Sequence, residues 1–198
     1  PFHYVPIIPM ILVNGSKGIG TGFSTNVPCF NPSDLIKNLI KMMDNKKIKP
    51  LIPWYRKFKG KVYKKDNKFY TKGICSVENS VVRVTELPIG SWTDKYKEYI
   101  ENLIIDKQAP ANKQKKQFIS SYRTNCTEED VDFSLVFSKN CKDLDKALSL
   151  VDSKNTGITN LHMYNEKGTI QKYSSAEEIL EVFYEIRLKY YVKRREFL

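Results

Sequence analysis

Two prolines and four glycines fall within residues 5–22, and they limit what the first part of the chain can become. Val5-Pro-Ile-Ile-Pro-Met-Ile-Leu-Val13 is apolar throughout. Pro6 and Pro9 each remove a backbone donor and disfavour helix at the residue before them. A buried extended segment is therefore expected rather than a helix. Asn14-Gly-Ser-Lys-Gly-Ile-Gly-Thr-Gly22 should be a loop, because Gly15, Gly18, Gly20 and Gly22 leave the backbone almost unrestricted.

Such a glycine run invites a nucleotide-binding reading, and spacing excludes it. Gly15 and Gly20 have the separation of a P-loop, but Thr21 stands where a lysine must reach the phosphates. A dinucleotide fingerprint needs GxGxxG opening a helix; Gly18-Ile-Gly-Thr-Gly is GxGxG, and Asn26-Val-Pro comes next. What remains is Ile19, a β-branched apolar side chain with glycine on both sides. It is either tucked into the core by a tight turn or offered to a ligand, for instance as a wedge that unstacks a DNA base step.

The rest of the chain reads as an α+β body. Asn31 as N-cap, Pro32 at the first helical position and Asp34 start a helix whose apolar stripe is Leu35, Leu39, Met42 and Met43. From Lys59 to Glu86 the period is two, giving antiparallel strands at Lys61-Val-Tyr, Lys68-Phe-Tyr and Ser80-Val-Val-Arg-Val, with a turn at Asp66-Asn67. A second helix is expected to open at Ser91, with Asp94 as a capping-box partner and Trp92, Tyr96, Tyr99, Ile100 and Leu103 lining it. Gln108 to Gln117 reads as a polar loop, Val131 to Phe137 as a strand, and Leu144 to Leu150 as a short helix. A hairpin should turn at Glu166-Lys-Gly168. Ser175 with Glu178 forms a capping box for a final helix striped by Ile179, Phe183, Ile186, Tyr190 and Phe197, slipping at Lys193.

Charge narrows the partner. Of 198 residues, 33 are basic and 22 acidic, a net of +11. The excess sits almost wholly in residues 1–100, and residues 37–72 alone hold 13 Lys or Arg against Asp44 and Asp66. Clustered positive charge is the footprint of a polyanion partner, although solvated lysine gives the same count. The candidates for phosphate contact are Lys46, Lys47, Lys49, Arg56, Lys57, Lys59 and Lys61. Cys29, Cys75, Cys126 and Cys141 are scattered, and His3 and His162 isolated, so no metal site is expected and the thiols read as reduced and buried. No apolar run approaches the roughly 18 residues of a membrane span. Opening at Pro1 without Met or signal peptide, the sequence reads as an internal fragment.

Tyr4-Val-Pro-Ile-Ile-Pro-Met-Ile-Leu-Val-Asn-Gly-Ser-Lys-Gly-Ile-Gly-Thr-Gly-Phe-Ser-Thr-Asn-Val-Pro resembles a segment of the eukaryotic-type DNA topoisomerase II family, within the type IIA topoisomerases. The similarity continues through Tyr55-Arg-Lys-Phe-Lys-Gly60, Thr85-Glu-Leu-Pro88, Trp92-Thr and Arg187-Leu-Lys-Tyr-Tyr191, five blocks in order. The resemblance implies the end of a winged-helix domain at 1–25, a tower domain at 26–174, and at 175–198 a helix leading into a coiled coil. It implies an ATP-dependent homodimer in the nucleus that cuts one DNA duplex, passes another through and reseals.

By the same resemblance, Ile19 matches the isoleucine that intercalates beside the cleavage site and bends the cut duplex, with Gly18 and Gly20 around it. The nucleophilic tyrosine would lie upstream of Pro1, and the Mg2+ and ATP sites further upstream still. No catalytic residue and no cofactor is therefore expected here, and the segment alone should be inactive. Lys17 and Phe23 depart from the family pattern; Lys17 is a candidate phosphate contact without family support. Two other readings remain: a non-enzymatic module with the same fold that binds double-stranded nucleic acid, and a scaffold whose lysines serve solubility.

Overall fold

The Asn31 side chain accepts a hydrogen bond from Ser33 N at 2.9 Å, and Pro32 opens the helix α2 (Pro32–Met43). Both are the start signals read from the sequence. The computed structural model describes residues 4–66, 68–79, 81–104, 118–138, 143–152, 158 and 160–198. By contact density the chain forms two units. One comprises residues 1–56, 63–69 and 154–198, the other residues 57–62 and 70–153.

In the first unit, the apolar run does not stay extended. Residues Met10–Asn14 form a short helix, α1, with Pro9 as N-cap. Leu12 N and Val13 N donate to Pro9 O, so the proline supplies an acceptor at a helix start, where its missing N–H leaves no intrahelical bond unmade. Nor is the whole run buried: Leu12 is fully enclosed, whereas Ile7 and Met10 face solvent. The glycine run also departs from the expected loop. It pairs with the segment after it as strands β1 (Ser16–Gly20) and β2 (Phe23–Val27). Further along, β10 (Leu161–Tyr164) and β11 (Ile170–Tyr173) form a second antiparallel pair, turning where Gly168 takes φ 74°.

The long helix α5 (Ala176–Phe197) begins at Ser175, whose Oγ accepts from Glu178 N at 3.1 Å. The return arm of the expected box is shifted by one residue. Glu178 accepts from the N–H and hydroxyl of Ser174, and these bonds hold its carboxyl below the usual range. Leu180 joins Ile179 in the core beside Leu12, Val27, Phe30, Leu35, Leu51 and Leu161, while Phe197 is exposed at the far end.

One polar side chain interrupts the stripe of α2. Asn38 is 2% exposed, and its amide spans Lys49, donating to the carbonyl at 2.8 Å and accepting from the N–H at 2.9 Å. Met43, placed in the stripe by spacing, is instead mostly exposed. Asn38→Ala should strand both Lys49 backbone groups and cost on the order of 2 kcal/mol. Urea unfolding would report it as a lower midpoint with an unchanged slope.

The second unit is built on a four-stranded antiparallel sheet in the order β5 (Ile74–Glu78), β6 (Val81–Glu86), β8 (Phe133–Phe137), β7 (Ile119–Thr124). Strict alternation puts Val82 and Val84 of β6 inside, opposite Leu135 and Phe133 of β8. Arg83, on the other face, forms a two-pronged ion pair with Asp132 at 2.8 and 2.9 Å. Helix α3 (Thr93–Glu101) lays Tyr96 and Ile100 on this sheet, with the Tyr96 ring edge-on to Phe133 at 5.3 Å.

That helix starts later than expected. Trp92 is the N-cap, without a side-chain cap, and it is 72% exposed rather than lining the core. Ser91 is consumed by the preceding turn, its N–H donating to Pro88 O. The short helix α4 (Leu144–Ala147) stops before Leu150 because Ser149 adopts φ 50°. Strands β3 (Lys61–Lys65) and β4 (Lys68–Lys72) form a sheet with β9 (Val151–Asp152), and their tip, 63–69, counts with the first unit. Residues 108–117 and 141 lie outside the described residues. Cys29, Cys75 and Cys126 are free and half-buried, less enclosed than expected.

Candidate nucleic-acid interface

The β1–β2 hairpin carries the sequence feature of greatest interest. Its register pairs Lys17 with Asn26, Gly18 with Thr25, Ile19 with Ser24 and Gly20 with Phe23, closing through Thr21 and Gly22. Gly22 takes φ 82°, which a side chain would resist. Ile19 is 95% exposed, so the inward-packing alternative does not hold. A β-branched residue on a paired strand has few rotamers open to it, so its position relative to the hairpin is well defined.

The neighbouring glycines differ in what they need. A Cβ on Gly20 would lie 2.9 Å from the Phe23 ring, so Gly20 makes room for the side chain opposite. A Cβ on Gly18 would meet nothing within 4 Å. No contact among the described residues accounts for glycine at position 18, and the backbone there is open to an approaching molecule. At the base, Gly15 sits at φ 68°, ψ 175°, and a Cβ there would be 2.7 Å from Val27 O.

Two hydrogen bonds fasten β2 to Asn160 elsewhere in the first unit, and a contact from His162 holds Asn160 in turn. Asn26 N donates to Asn160 O at 2.8 Å, Asn160 Nδ2 donates to Ser24 Oγ, and His162 Nδ1 lies 2.7 Å from Asn160 Oδ1. Sequence reasoning passed over all of these. No local signal marks a contact between positions 136 residues apart. Beside them, the Thr25 hydroxyl is buried without a hydrogen-bond partner among the described residues. Thr25→Val removes that orphan at constant shape. Thermal melting should show unchanged or slightly higher stability, by up to about 1 kcal/mol.

The cationic candidates divide by unit and by pairing. Lys46, Lys47, Lys49 and Arg56 lie in the first unit, and Lys57, Lys59 and Lys61 in the second; all are exposed. Lys46 is held by Asp44 at 2.9 Å, Lys57 by Glu129 at 3.0 Å, and Lys59 is 3.9 Å from Asp130. Among the described residues Lys47, Lys49, Arg56 and Lys61 have no acidic partner. Lys17 is exposed on β1. No group of three or more His, Cys, Asp or Glu side chains converges among the described residues, so the set needed to hold Mg2+ is not found in them. No helix among them is long and apolar enough to cross a membrane.

The fold is that of an α+β protein, and its first unit carries an exposed apolar side chain on a glycine-flanked hairpin together with Lys47, Lys49 and Arg56, which have no acidic partner among the described residues. The family model for the A subunit of DNA gyrase/topoisomerase IV matches residues 1–198, and the chain belongs to that family. It is 36% identical to DNA topoisomerase 2 of Arabidopsis thaliana over 99% of its own length and 14% of the relative's. It is 40% identical to the mitochondrial DNA topoisomerase 2 of Dictyostelium discoideum over 100% of its length and 15% of the relative's. The crystal structure of the Plasmodium falciparum topoisomerase II DNA-binding, cleavage and re-ligation domain superposes with a TM-score of 0.89 at 34% identity, covering all of this chain and 27% of that one. The chain thus spans about one seventh of the length of these curated relatives.

Proposed function

We propose that this chain is the part of an ATP-dependent type II DNA topoisomerase that binds and bends the duplex to be cut. The observation that carries the reading is Ile19, 95% exposed at a fixed place on a hairpin whose neighbouring Gly18 leaves room for a partner. Inserted between base pairs, Ile19 unstacks a step at a cost of a few kcal/mol and makes a sharp bend accessible. Lysine and arginine contacts along the flanking duplex offset that cost by releasing counterions, without reading sequence.

In this reading residues 1–25 end a winged-helix domain, 26–174 form the tower, and 175–198 lead toward a coiled coil. The enzyme is a homodimer acting on double-stranded DNA in the nucleus. The Dictyostelium relative, named mitochondrial, makes the organelle the alternative address. The nucleophilic tyrosine and the sites for ATP and Mg2+ lie elsewhere in the longer polypeptide, and no step assigned here runs through them. Gly18, Ile19, Gly20 and Lys17 face the bent duplex.

The reading is tested in the full-length polypeptide by relaxation of supercoiled plasmid with ATP and Mg2+, and by the salt dependence of duplex binding. Replacing Lys47, Lys49 and Lys61 together with Gln should weaken binding to every duplex sequence. It should also lower the slope of log affinity against log salt by about 1 for each phosphate no longer neutralised. Lys57→Gln, which also frees Glu129, should change the slope less. An unchanged slope in the triple variant would remove these lysines from the interface, and absence of ATP-dependent relaxation would remove the enzyme reading.

A further inference from the structure

We propose that Asn160 and His162 are positioning residues for the Ile19 wedge, holding the β1–β2 hairpin against the load of a bent duplex. The proposal rests on the proposed role of Ile19 as a wedge and concerns how that residue is kept in place. A two-stranded ribbon is marginally stable by itself, and its side chains do little unless its base is anchored. A wedge that pushes on a base stack is pushed back with equal force. A hairpin free to swing would yield, and the stack would close.

The anchor is a short chain of hydrogen bonds that ends opposite the wedge. Ser24 is the direct cross-strand partner of Ile19. Its Oγ accepts from Asn160 Nδ2, and two residues along β2 the Asn26 N–H donates to Asn160 O at 2.8 Å. Asn160 therefore grips the strand through both its side chain and its backbone. His162 sets the grip: with its Nδ1 2.7 Å from Asn160 Oδ1, the ring donates to the amide oxygen and turns the amide N–H toward Ser24. Between the two, Leu161 is fully buried in the core of the first unit, so the anchor is tied to that core.

The test uses the full-length enzyme and a duplex labelled at both ends, with bending read by energy transfer and cleavage read in parallel. Asn160→Ala should lower the bent fraction and the cleavage level about 5- to 10-fold. His162→Leu should do the same, while His162→Asn, whose amide N–H stands near the Nδ1 position, should retain most of both. The same Asn160→Ala change in an Ile19→Ala background should add nothing, because the pair acts through Ile19. A role in general stability would lower both backgrounds alike.

If Asn160→Ala lowers the melting temperature enough to obscure the comparison, Ser24→Ala removes the same link at a half-buried position and should reproduce the loss. Should Ile19→Ala flatten the bend while Asn160→Ala and Ser24→Ala bend DNA as wild type does, the positioning role is wrong and the wedge stands. Should Ile19→Ala itself leave the bend intact, the wedge reading falls first and the positioning role falls with it.

Discussion

Ile19→Ala in the full-length enzyme is expected to lower DNA cleavage about 50-fold on an intact duplex. The substitution removes three carbons that are exposed in the free protein and that the proposed complex encloses between bases. At about 0.8 kcal/mol per buried CH2 those carbons contribute about 2.4 kcal/mol to the bent complex, a factor of about 50 in its population. Bending 20–30 base pairs costs on the order of 1–10 kcal/mol, so a loss of this size decides whether the bent state is populated. A mismatch at the wedge step weakens its stacking in advance, and such a duplex should restore most of the cleavage. Since Ile19 is 95% exposed and packs against nothing, the melting temperature of the variant should stay within a degree or two of wild type.

Gly15→Ala is expected to be the most damaging small substitution at the hairpin. Its φ of 68° with ψ of 175° is a combination open essentially to glycine alone. The new Cβ would also lie 2.7 Å from Val27 O and 3.0 Å from Cys29 Sγ. Val27 O is backbone and cannot yield without shifting the strand. Together the strain and the clash should cost on the order of 3 kcal/mol, seen as a fall in the unfolding midpoint. Because β1 leaves the core at Gly15, cleavage should fall as well. Gly18→Ala is the control: its Cβ points into open space, so stability should hold, while the proposed approach of the duplex to Gly18 predicts weaker DNA binding.

These two positions show where sequence reasoning succeeds and where it stops. The glycine neighbours of Ile19 leave two readings open, packed inward or offered to a ligand; the structure shows the side chain exposed, and its role as a wedge stays a proposal. The pairing of β1 with β2 was not legible, because glycines carry no side chains and so produce no period of two. Asn31, Pro32 and Ser175 act through neighbouring backbone, and they were legible for that reason. The grips of Asn38 on Lys49 and of Asn160 on Ser24 were not, since each joins a segment distant in sequence. Aromatic character places Trp92 in the helix stripe by sequence, and the structure places it in solvent. A turn that takes up Ser91 moved the cap by one residue and left the ring in solvent.

The bend angle itself is the most direct measurement of the central claim. A duplex of about 30 base pairs carrying a donor and an acceptor at its ends should show high energy transfer when bound by the wild-type enzyme, and transfer near that of free DNA when saturated with Ile19→Ala. Equal transfer in the two complexes would contradict the account, because the bend would then be made without the residue on which it rests.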